Sequence, residues 1–449
     1  MNSRPDSLFR SLLRFPGPNF YSLSRDPLGL LCRLAAKGEP VTRLLSPGEN
    51  IYFVSDPELV KEVLVTNSAK FHKGRGVERL RTILGNGLLT SEGQVHHRQR
   101  QIIQPVFHHK SLKSYAEIMT RHASRLTGSW SDVLEINLTA EMARLTLMIV
   151  GEALFGADVE AETRKVGELM TAMMDSFPLR MSPLAPLFAA CGHPKMRRGT
   201  KAQEELRGIV SQMINRRDRA DLQREDLLTL LFAARDAETG ARMSNDQLQD
   251  EVMTILLAGH ETTANALDWT LYLLARHPGE AEKVGEELHR VLGSALPKVE
   301  DLERLPVLER VVRESLRLYP PVWALGRRAI EDQELGNIRL RRRSIVVVSP
   351  WAMQRTERFF PDPEEFKPDR WTPAFRASLP KFAFFPFGGG PRQCIGEGFA
   401  WLELMVVLAH FLRDWRFELV PGQKIELWPA VTLRSKQPIR MRVRRCRQL

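Results

Sequence analysis

Apolar residues recur along most of the chain at the three- and four-residue intervals of α-helices. This spacing dominates from about residue 93 to residue 313, where few strand signals interrupt it. Alternating apolar stretches at 41–45 and 51–54 flank a Pro-Gly turn and predict a hairpin. Further strands are predicted near residues 329–348, 431–433 and 439–443. We therefore expect a mainly α fold with small peripheral β-sheets.

One predicted helix differs from the others. Residues 251–277 contain no proline and are apolar nearly all round, so this helix should cross the interior of the fold. Its middle, residues 258–263, nevertheless reads AGHETT. A glycine, an acid and two neighbouring hydroxyls are costly inside a buried helix. Such departures from local rules are most frequent where function requires them.

Length and composition are those of an ordinary globular chain. By length alone, 449 residues would make two or three domains, yet neither a linker nor an internal repeat is visible. A mixture of 43% hydrophobic and 27% charged residues excludes disordered and membrane-embedded classes. We expect a single domain over residues 1–449, with 1–14 as a candidate disordered segment.

The N-terminus and the cysteines bear on the compartment. The first apolar stretches are short and are interrupted by Arg10 and Arg14, so neither a membrane span nor a secretory leader is predicted. The cysteines lie far apart without a C-x-x-C pair, which argues against a disulfide framework. Both features predict a cytoplasmic protein.

The chain is basic, with a formal net charge of +11 and a basic tail at 440–445. Nucleic acid, an anionic membrane surface and an acidic protein are the candidate counterparts, beside a solvated surface without a partner. No nucleic-acid module and no interleaving of basic and aromatic residues accompanies the charge, so nucleic acid is the least favoured.

The strongest chemical signal is the segment 387–396, which reads FGGGPRQCIG and precedes a predicted helix at 399–413. Glycines let a backbone pack closely under a flat cofactor, and a thiolate at a helix N-terminus is stabilised by the helix dipole and amides. The segment resembles the cysteine-ligand loop of the cytochrome P-450 family, F-x-x-G-x-R-x-C-x-G, at every fixed position. The resemblance implies a soluble bacterial-type enzyme holding heme b (iron protoporphyrin IX). The implied ligand of the metal is Cys394, and the implied cofactor contacts from this segment are Phe387, Gly388, Arg392 and Gly396.

Two further patterns resemble the same family. Glu314 and Arg317 form an E-x-x-R pair on one face of a predicted helix, and FKPDRW at 366–371 is similar to a P-E-R-F-like element. The resemblance makes Glu314, Arg317 and Arg370 a structural ion-pair cluster that supports the cysteine loop.

The AGHETT segment matches the family's oxygen-activation motif, A-G-x-(D/E)-T-T. The implied fold is the cytochrome P-450 fold, with the haem between the long helix and the cysteine loop. In this scheme Ala258 and Gly259 leave room for dioxygen, Thr262 supplies a hydroxyl near the distal oxygen, and Glu261 relays protons.

The other two positions of the motif have no assigned chemistry. We expect His260 to be a helix-surface or core histidine, and Thr263 to be a packing residue or bonded back to the helix.

The two propionates of a haem need cationic partners, which arginine provides in bidentate geometry. The family position of a propionate-contacting helix is occupied by His96, where many relatives have tryptophan, and by Arg100 on the same face. Arg392 and Arg327 complete the implied set, and Arg328 stays an alternative to Arg327.

The chain departs from the family pattern in three places. Residues 340–344 (LRRRS) occupy a turn where relatives usually have proline and glycine, Gln354 replaces a common histidine, and Glu357 replaces a common proline. These differences concern a turn and a more distant haem contact rather than the iron site.

The implied reaction inserts one oxygen atom from O2 into a lipophilic small molecule such as a fatty acid, terpenoid or steroid. We expect no redox domain to be fused to the chain, so electrons would come from a separate ferredoxin or flavodoxin with its NAD(P)H reductase. We also expect a monomer. The substrate pocket is expected along residues 74–89, 253–258, 322–325 and 431–433.

Some alternatives remain at this point. The stretch 170–188, rich in Met, Phe and Pro, is either a mobile lid or plain core. Two other functions stay open. The first is that of a haem protein that binds gas or transfers electrons without oxygenation, and the second is that of a non-catalytic lipophile-binding protein. The acid–alcohol pair at 261–262 argues against the first of these, and an absent haem spectrum would favour the second.

Overall fold

The structure, a computed structural model, describes residues 25–46, 49–107, 112–156, 160–182, 184–216, 226–235, 240 and 242–446. The expected disordered segment 1–14 and the Pro-Gly turn of the predicted hairpin lie outside these residues. The α-helices, in chain order, are α1 (Pro27–Ala36), α2 (Pro57–Lys61), α3 (Arg75–Leu84), α4 (Gly93–Ile103), α5 (Leu112–Gly128), α6 (Leu138–Phe155), α7 (Glu160–Asp175), α8 (Phe177–Met181), α9 (Ala185–Ala190), α10 (Pro194–Arg216), α11 (Leu227–Ala233), α12 (Asn245–Arg276), α13 (Pro278–Leu292), α14 (Pro306–Leu318), α15 (Pro350–Met353), α16 (Pro373–Ser378) and α17 (Glu397–Asp414).

The strands are short and lie mainly near the two ends of the chain. They are β1 (Val41–Ser46), β2 (Glu49–Val54), β3 (Phe71–Lys73), β4 (Leu134–Asn137), β5 (Leu325–Ala329), β6 (Gln333–Leu335), β7 (Ile338–Leu340), β8 (Ile345–Val348), β9 (Trp415–Leu419), β10 (Leu427–Pro429), β11 (Leu433–Ser435) and β12 (Arg440–Arg445). The prediction of a mainly α fold with small sheets is confirmed. The four-residue β4 was missed because it is too short to show an alternation.

Local sequence signals account for the first elements. Strands β1 and β2 pair antiparallel from Val41 opposite Val54 to Ser46 opposite Glu49, as the hairpin prediction required. Helix α2 begins as expected at Asp56, whose side chain accepts hydrogen bonds from the backbone of Glu58 and Leu59. It continues into a π-helical turn, Glu62–Thr66.

The chain forms two compact units. The first, called the sheet unit, comprises Met1–Glu78, Val322–Glu365 and Pro373–Cys394. Its five-stranded sheet has the order β1-β2-β8-β5-β3, with β2 and β8 parallel and the other neighbours antiparallel. Helix α1 packs its leucines on this sheet in a core that includes Phe53 and Ile345.

The second, called the helical unit, comprises Arg79–Pro321, Phe366–Thr372 and Ile395–Leu449. Its central element is α12, whose 32 residues correspond to about 48 Å of helix. The helix begins six residues earlier than predicted, because Ser244 caps it through the backbone of Gln247 and the first turns are polar. Most of its residues are buried, as expected for a helix that is apolar on all sides.

The basic tail forms β12, the central strand of the sheet β4-β12-β9. Its outward arginines meet carboxylates on the flanking strands: Arg440 and Arg442 pair with Glu135, and Arg444 pairs with Glu418 at 2.9 Å. Exposed pairs of this kind contribute about 0–1 kcal/mol each. Much of the tail charge is therefore balanced inside the sheet.

Within the described part of the chain, none of the helices is both long enough and apolar enough to cross a membrane.

Candidate functional site

The cysteine loop of the sheet unit is a tight turn held by its own backbone. The amide of Cys394 donates to the carbonyl of Phe387 at 2.9 Å, and the amide of Gln393 donates to Gly390 at 3.0 Å. Gly388 and Gly390 have φ angles of 73° and 70°, a left-handed region that residues with a Cβ rarely adopt. Gly390, a fixed glycine of the motif, and Gly388 beside it are thus required by backbone geometry, and Cys394 is exposed at the end of the turn.

Close packing is a separate reason why Gly389 and Gly390 cannot carry a side chain. A Cβ on Gly390 would lie 2.0 Å from the carbonyl oxygen of Leu64, which belongs to the π-helical turn. A Cβ on Gly389 would lie 2.5 Å from the ring of Phe382. The loop therefore leaves no space for side chains on its inner surface.

Gln354, one of the departures from the family pattern, supports the segment that leads into the loop. Its side chain is fully buried, and its Oε1 accepts a hydrogen bond from the backbone of Phe385 at 3.2 Å. The substitution therefore keeps a polar anchor in this part of the sheet unit.

Neighbouring arginines on β5 differ in their surroundings. Arg328 donates from Nε and Nη2 to the carboxylate of Glu78 at 2.6 and 2.9 Å and lies 3.6 Å from Glu49. Arg327 is buried, and its Nη1 donates to the carbonyl of Gly326 at 3.0 Å. Two carboxylates thus already engage the guanidinium of Arg328. Arg392, the third candidate of this unit, is half-buried.

In the helical unit, the middle of α12 is more exposed to solvent than the rest of this buried helix. Ala258 is exposed, and Glu261 and Thr262 are half-buried, whereas the turns before and after them are almost entirely buried. The hydroxyl of Thr262 donates to the carbonyl of Ala258 at 2.7 Å, so its oxygen can accept a further hydrogen bond. Thr263 donates back to Gly259 at 3.2 Å, as expected for a back-bonded residue.

Gly259 has a packing reason for its size. A Cβ at this position would lie 3.1 Å from a methyl group of Val150 on α6, the helix that packs along α12. The expectation that Gly259 leaves room for dioxygen stays a prediction.

Glu261 is held by a chain of hydrogen bonds. Its Oε1 accepts from the hydroxyl of Thr432 at 2.6 Å, and that hydroxyl accepts from Nδ2 of Asn265 at 3.1 Å. Thr432 and Asn265 are both buried. Neither residue was singled out from the sequence, although Thr432 falls within the range expected to line the pocket.

His260 belongs to the core, as its expected non-catalytic role requires. Its Nδ1 lies 3.0 Å from the carbonyl of Leu256, and its own carbonyl accepts from Thr146 of α6. Burial lowers the pKa of the imidazole, so the ring is neutral near pH 7.

His96 and Arg100 lie one turn apart on α4, within the helical unit. His96 is buried and Arg100 is half-buried. They share a helix face, as the predicted propionate contact requires. Gly396 lies directly before α17 in the same unit, and a Cβ there would be in ordinary contact with Phe107 at 3.6 Å.

The predicted ion-pair cluster is confirmed. Glu314 accepts from Nε and Nη2 of Arg317 at 2.9 and 2.8 Å, and from Nε of Arg370 at 3.0 Å. The backbone of Lys367 and the indole of Trp371 donate to the same carboxylate at 3.0 and 2.8 Å. The E-x-x-R pair is therefore a buried, multiply bonded centre and not a solvated surface pair.

Two buried acids of the helical unit were not predicted. Burial raises the pKa of Asp268 on α12 to about 8, which the Thr139 hydroxyl opposes only partly. Burial also raises the pKa of Glu403 on α17, which the Thr263 hydroxyl opposes only partly. The sequence signal was present, since both acids interrupt apolar helical runs.

The donor set fits the implied cofactor. The thiol of Cys394 lies at the end of a loop without side chains on its inner surface, and arginines lie on β5 and α4. Ala258 is an exposed residue in the otherwise buried helix α12. A thiol, cationic side chains and an uncovered surface are the kinds of group that a haem requires.

Comparisons with known proteins agree with this chemistry. Residues 16–441 match the family model described as Cytochrome P450. The chain is 37% identical over 422 residues to cyclooctatin synthase of Streptomyces melanosporofaciens, covering 93% of this chain and 91% of that protein. It is 34% identical to cyclooctat-9-en-7-ol 5-monooxygenase of the same organism, covering 89% and 87%. The solved structure of the cytochrome P450DA heme domain is similar with a TM-score of 0.85 at 27% identity, covering 96% of this chain and 95% of that one.

Proposed function

The chain belongs to the cytochrome P450 family of haem-dependent monooxygenases, and on that premise we propose that it oxygenates a terpenoid-like lipophile. The family resemblance inferred from the sequence is confirmed, and with it the haem cofactor, the use of O2 and the need for a redox partner. The observation that carries the proposal is the half-buried pair Glu261–Thr262 in an otherwise buried helix. Gas binding or lipophile binding alone would not require that pair.

The haem, when bound, supplies activation of dioxygen at its iron and transfer of one oxygen atom to the substrate. We propose that Cys394 would ligate the haem iron as a thiolate, and that Phe387, Gly388, Gly396 and Arg392 would contact the haem, Arg392 through a propionate. His96, Arg100 and Arg327 are the further propionate partners that we propose.

Arg327 is preferred to Arg328 for a physical reason. The guanidinium of Arg328 is engaged by Glu78 at 2.6 Å and lies 3.6 Å from Glu49, and a third anion would have to displace one of them. Arg327 is buried, and its Nη1 donates to the backbone carbonyl of Gly326 at 3.0 Å.

Proton delivery is the part that this chain's own residues perform. Glu261 is half-buried and therefore in reach of solvent. The hydroxyl of Thr262 donates its proton to the carbonyl of Ala258, and its oxygen can accept a second hydrogen bond. In the proposed relay Glu261 gives a proton toward the hydroxyl of Thr262, and Thr262 passes its own onward. General acid–base groups of this type contribute about 10²–10⁴-fold to a rate.

The substrate class rests on the relatives. Two of them are named for cyclooctatin and for cyclooctat-9-en-7-ol, which are terpenoid products or substrates. Among the stretches expected to line the pocket, the described residues 253–258 are mostly apolar and suit such a molecule. We propose a polycyclic terpenoid in preference to a fatty acid or a steroid.

We further propose that electrons come from a ferredoxin or a flavodoxin with its NAD(P)H reductase. The formal net charge of +11, with Arg392 and Lys381 ahead of Cys394 in the chain, suits an acidic partner. A cytoplasmic location is proposed with it, since the four cysteines, all among the described residues, form no disulfide.

The test combines a spectrum with a substrate screen. The reduced, CO-bound protein should show the red-shifted absorption of thiolate-ligated haem, and Cys394→Ser should abolish it. Cys191→Ser, at another exposed cysteine, is the matched control and should leave the spectrum unchanged. Terpenoid alcohols should then shift the spin state more strongly than fatty acids of equal size, and 18O2 should label the product. An unaltered spectrum in Cys394→Ser would overturn the proposed function.

A further inference from the structure

The carboxylate of Glu261 is hydrogen-bonded to Thr432, a residue of the helical unit that lies far from it in sequence. This residue lies in the turn between β10 and β11, and its hydroxyl donates to Oε1 of Glu261 at 2.6 Å. Within the described residues, the Glu261 side chain makes this one hydrogen bond. The position of the acid is thus set from outside its own helix.

The hydroxyl of Thr432 is itself held in place. Asn265, one turn after Glu261 on α12, donates to it from Nδ2 at 3.1 Å. Its single proton is therefore directed at Glu261, since the amide of Asn265 occupies an acceptor site of the oxygen. Glu261 and Asn265 bracket Thr432 from the same face of the helix.

The backbone of the turn is also fixed to the unit. The indole of Trp269 donates to the carbonyl of Leu433 at 3.1 Å, and the amide of Leu433 donates to Pro321 at 2.8 Å. The amide of Ala430 closes the turn on the carbonyl of Thr432 at 3.1 Å. Any displacement of this turn must therefore move the Thr432 hydroxyl relative to Glu261.

We propose that Thr432 is a positioning residue, which holds the Glu261 carboxylate and couples its orientation to the β10–β11 turn. The inference rests on the proposed function, because residues 431–433 are expected to contact the substrate. While Oε1 bonds to Thr432, the carboxylate is held at the turn, so a substrate that displaced the turn would also displace the acid relative to Thr262. Proton delivery then depends on an occupied pocket.

The test compares Thr432→Val, which keeps the shape and removes the hydroxyl, with Thr432→Ser, which keeps the hydroxyl. In Thr432→Val we expect product per NADPH to fall about threefold to tenfold, a fraction of the ~10²–10⁴ that general acid–base catalysis provides. The missing electrons should appear as hydrogen peroxide. Thr432→Ser should stay within about twofold of the wild type, because the donor is retained.

A control variant removes another contact of the same hairpin. Arg434 on β11 bonds to Asp175 at 2.7 Å without touching Glu261, so Arg434→Gln perturbs the hairpin alone. If Arg434→Gln uncoupled the enzyme as much as Thr432→Val, the specific role of Thr432 would be overturned.

A second measurement does not depend on turnover. Unfolding by urea is compared for the wild type, Thr432→Val, Glu261→Ala and the double variant. We expect the effect of Glu261→Ala to shrink by about half or more in the Thr432→Val background, since residues in direct contact are not additive. Additive effects would overturn the positioning contact, whatever the product. Failure of the wild type to oxygenate any lipophile would instead overturn the proposed function.

Discussion

Glu314 and Arg317, one turn apart on α14, form a bidentate ion pair in which neither side chain is exposed to solvent. The two bonds measure 2.8 and 2.9 Å, and both side chains have a relative exposure of 0%. Ionised groups so deeply buried are costly unless every lone pair is used. Lys367, Arg370 and Trp371 supply the remaining donors, which explains how the pair is tolerated.

Removal of one partner should therefore be severe. We expect Arg317→Ala to lower the free energy of unfolding by about 3–5 kcal/mol, because it leaves a buried carboxylate without its main counter-charge. Lys283→Ala is the control: it breaks an exposed pair with Asp369 in the same unit and should cost less than about 1 kcal/mol. Urea unfolding of both variants decides the matter, and equal losses would contradict the argument.

A pH-dependent effect is expected from Asp268. Its folded-state pKa of about 8 lies above the ~3.9 of an unfolded aspartate. Between these values the folded chain keeps a proton that the unfolded chain loses, so rising pH favours unfolding by up to about 1.4 kcal/mol per pH unit. Below pH 4 or so both states are protonated, and above about 8 both are ionised, so the loss is confined to this window.

Asp268→Asn removes the titrating group and should therefore remove its contribution to the pH dependence of the free energy of unfolding. The variant should gain stability relative to the wild type between pH 5 and 7.5, by about 1 kcal/mol or more. Urea titrations at several pH values in this interval measure the difference. Parallel profiles for the two proteins would show that Asp268 does not titrate in the folded chain as argued.

Two glycines of the cysteine loop offer a matched comparison. Gly388 and Gly390 share a left-handed φ, but a Cβ would meet only Leu325 at 3.6 Å in the first case and the Leu64 carbonyl at 2.0 Å in the second. Gly388→Ala should cost about 1 kcal/mol from backbone strain. Gly390→Ala adds a clash with backbone and should cost about 3 kcal/mol or more. Thermal unfolding and haem content are the measurements, and the reverse order would contradict the packing described.

The sequence was most informative where a motif or a local signal determined the geometry. The hairpin at the start of the chain, the cap at Asp56 and the Glu314–Arg317–Arg370 cluster were all predicted, since each depends on a few residues with strong preferences. The early start of α12 was missed because its first turns are polar and only Ser244 marks the cap.

The rest of the candidate site depends on tertiary packing. The contact of Thr432 with Glu261 joins residues 171 positions apart, which no periodicity encodes. Gly259 illustrates a different limit, because a glycine in a helix is equally consistent with space for a ligand and with the approach of Val150. Asp268 and Glu403 were visible as acids in apolar runs, but their pKa shifts follow from burial that only the fold creates.

The arginines of β5 allow a last test, at the proposed propionate contact. Arg328→Ala removes pairs with Glu78 and Glu49 that are partly exposed to solvent, so we expect it to cost about 0–1 kcal/mol and to leave haem retention unchanged. Arg327→Ala removes a buried cation, and we expect haem to dissociate about tenfold faster, which corresponds to roughly 1.4 kcal/mol. Haem transfer to an apo-acceptor protein, followed by absorbance, measures this rate without any turnover. Faster loss from Arg328→Ala than from Arg327→Ala would reverse the assignment, because the carboxylates around Arg328 would then be partners that it gives up on haem binding.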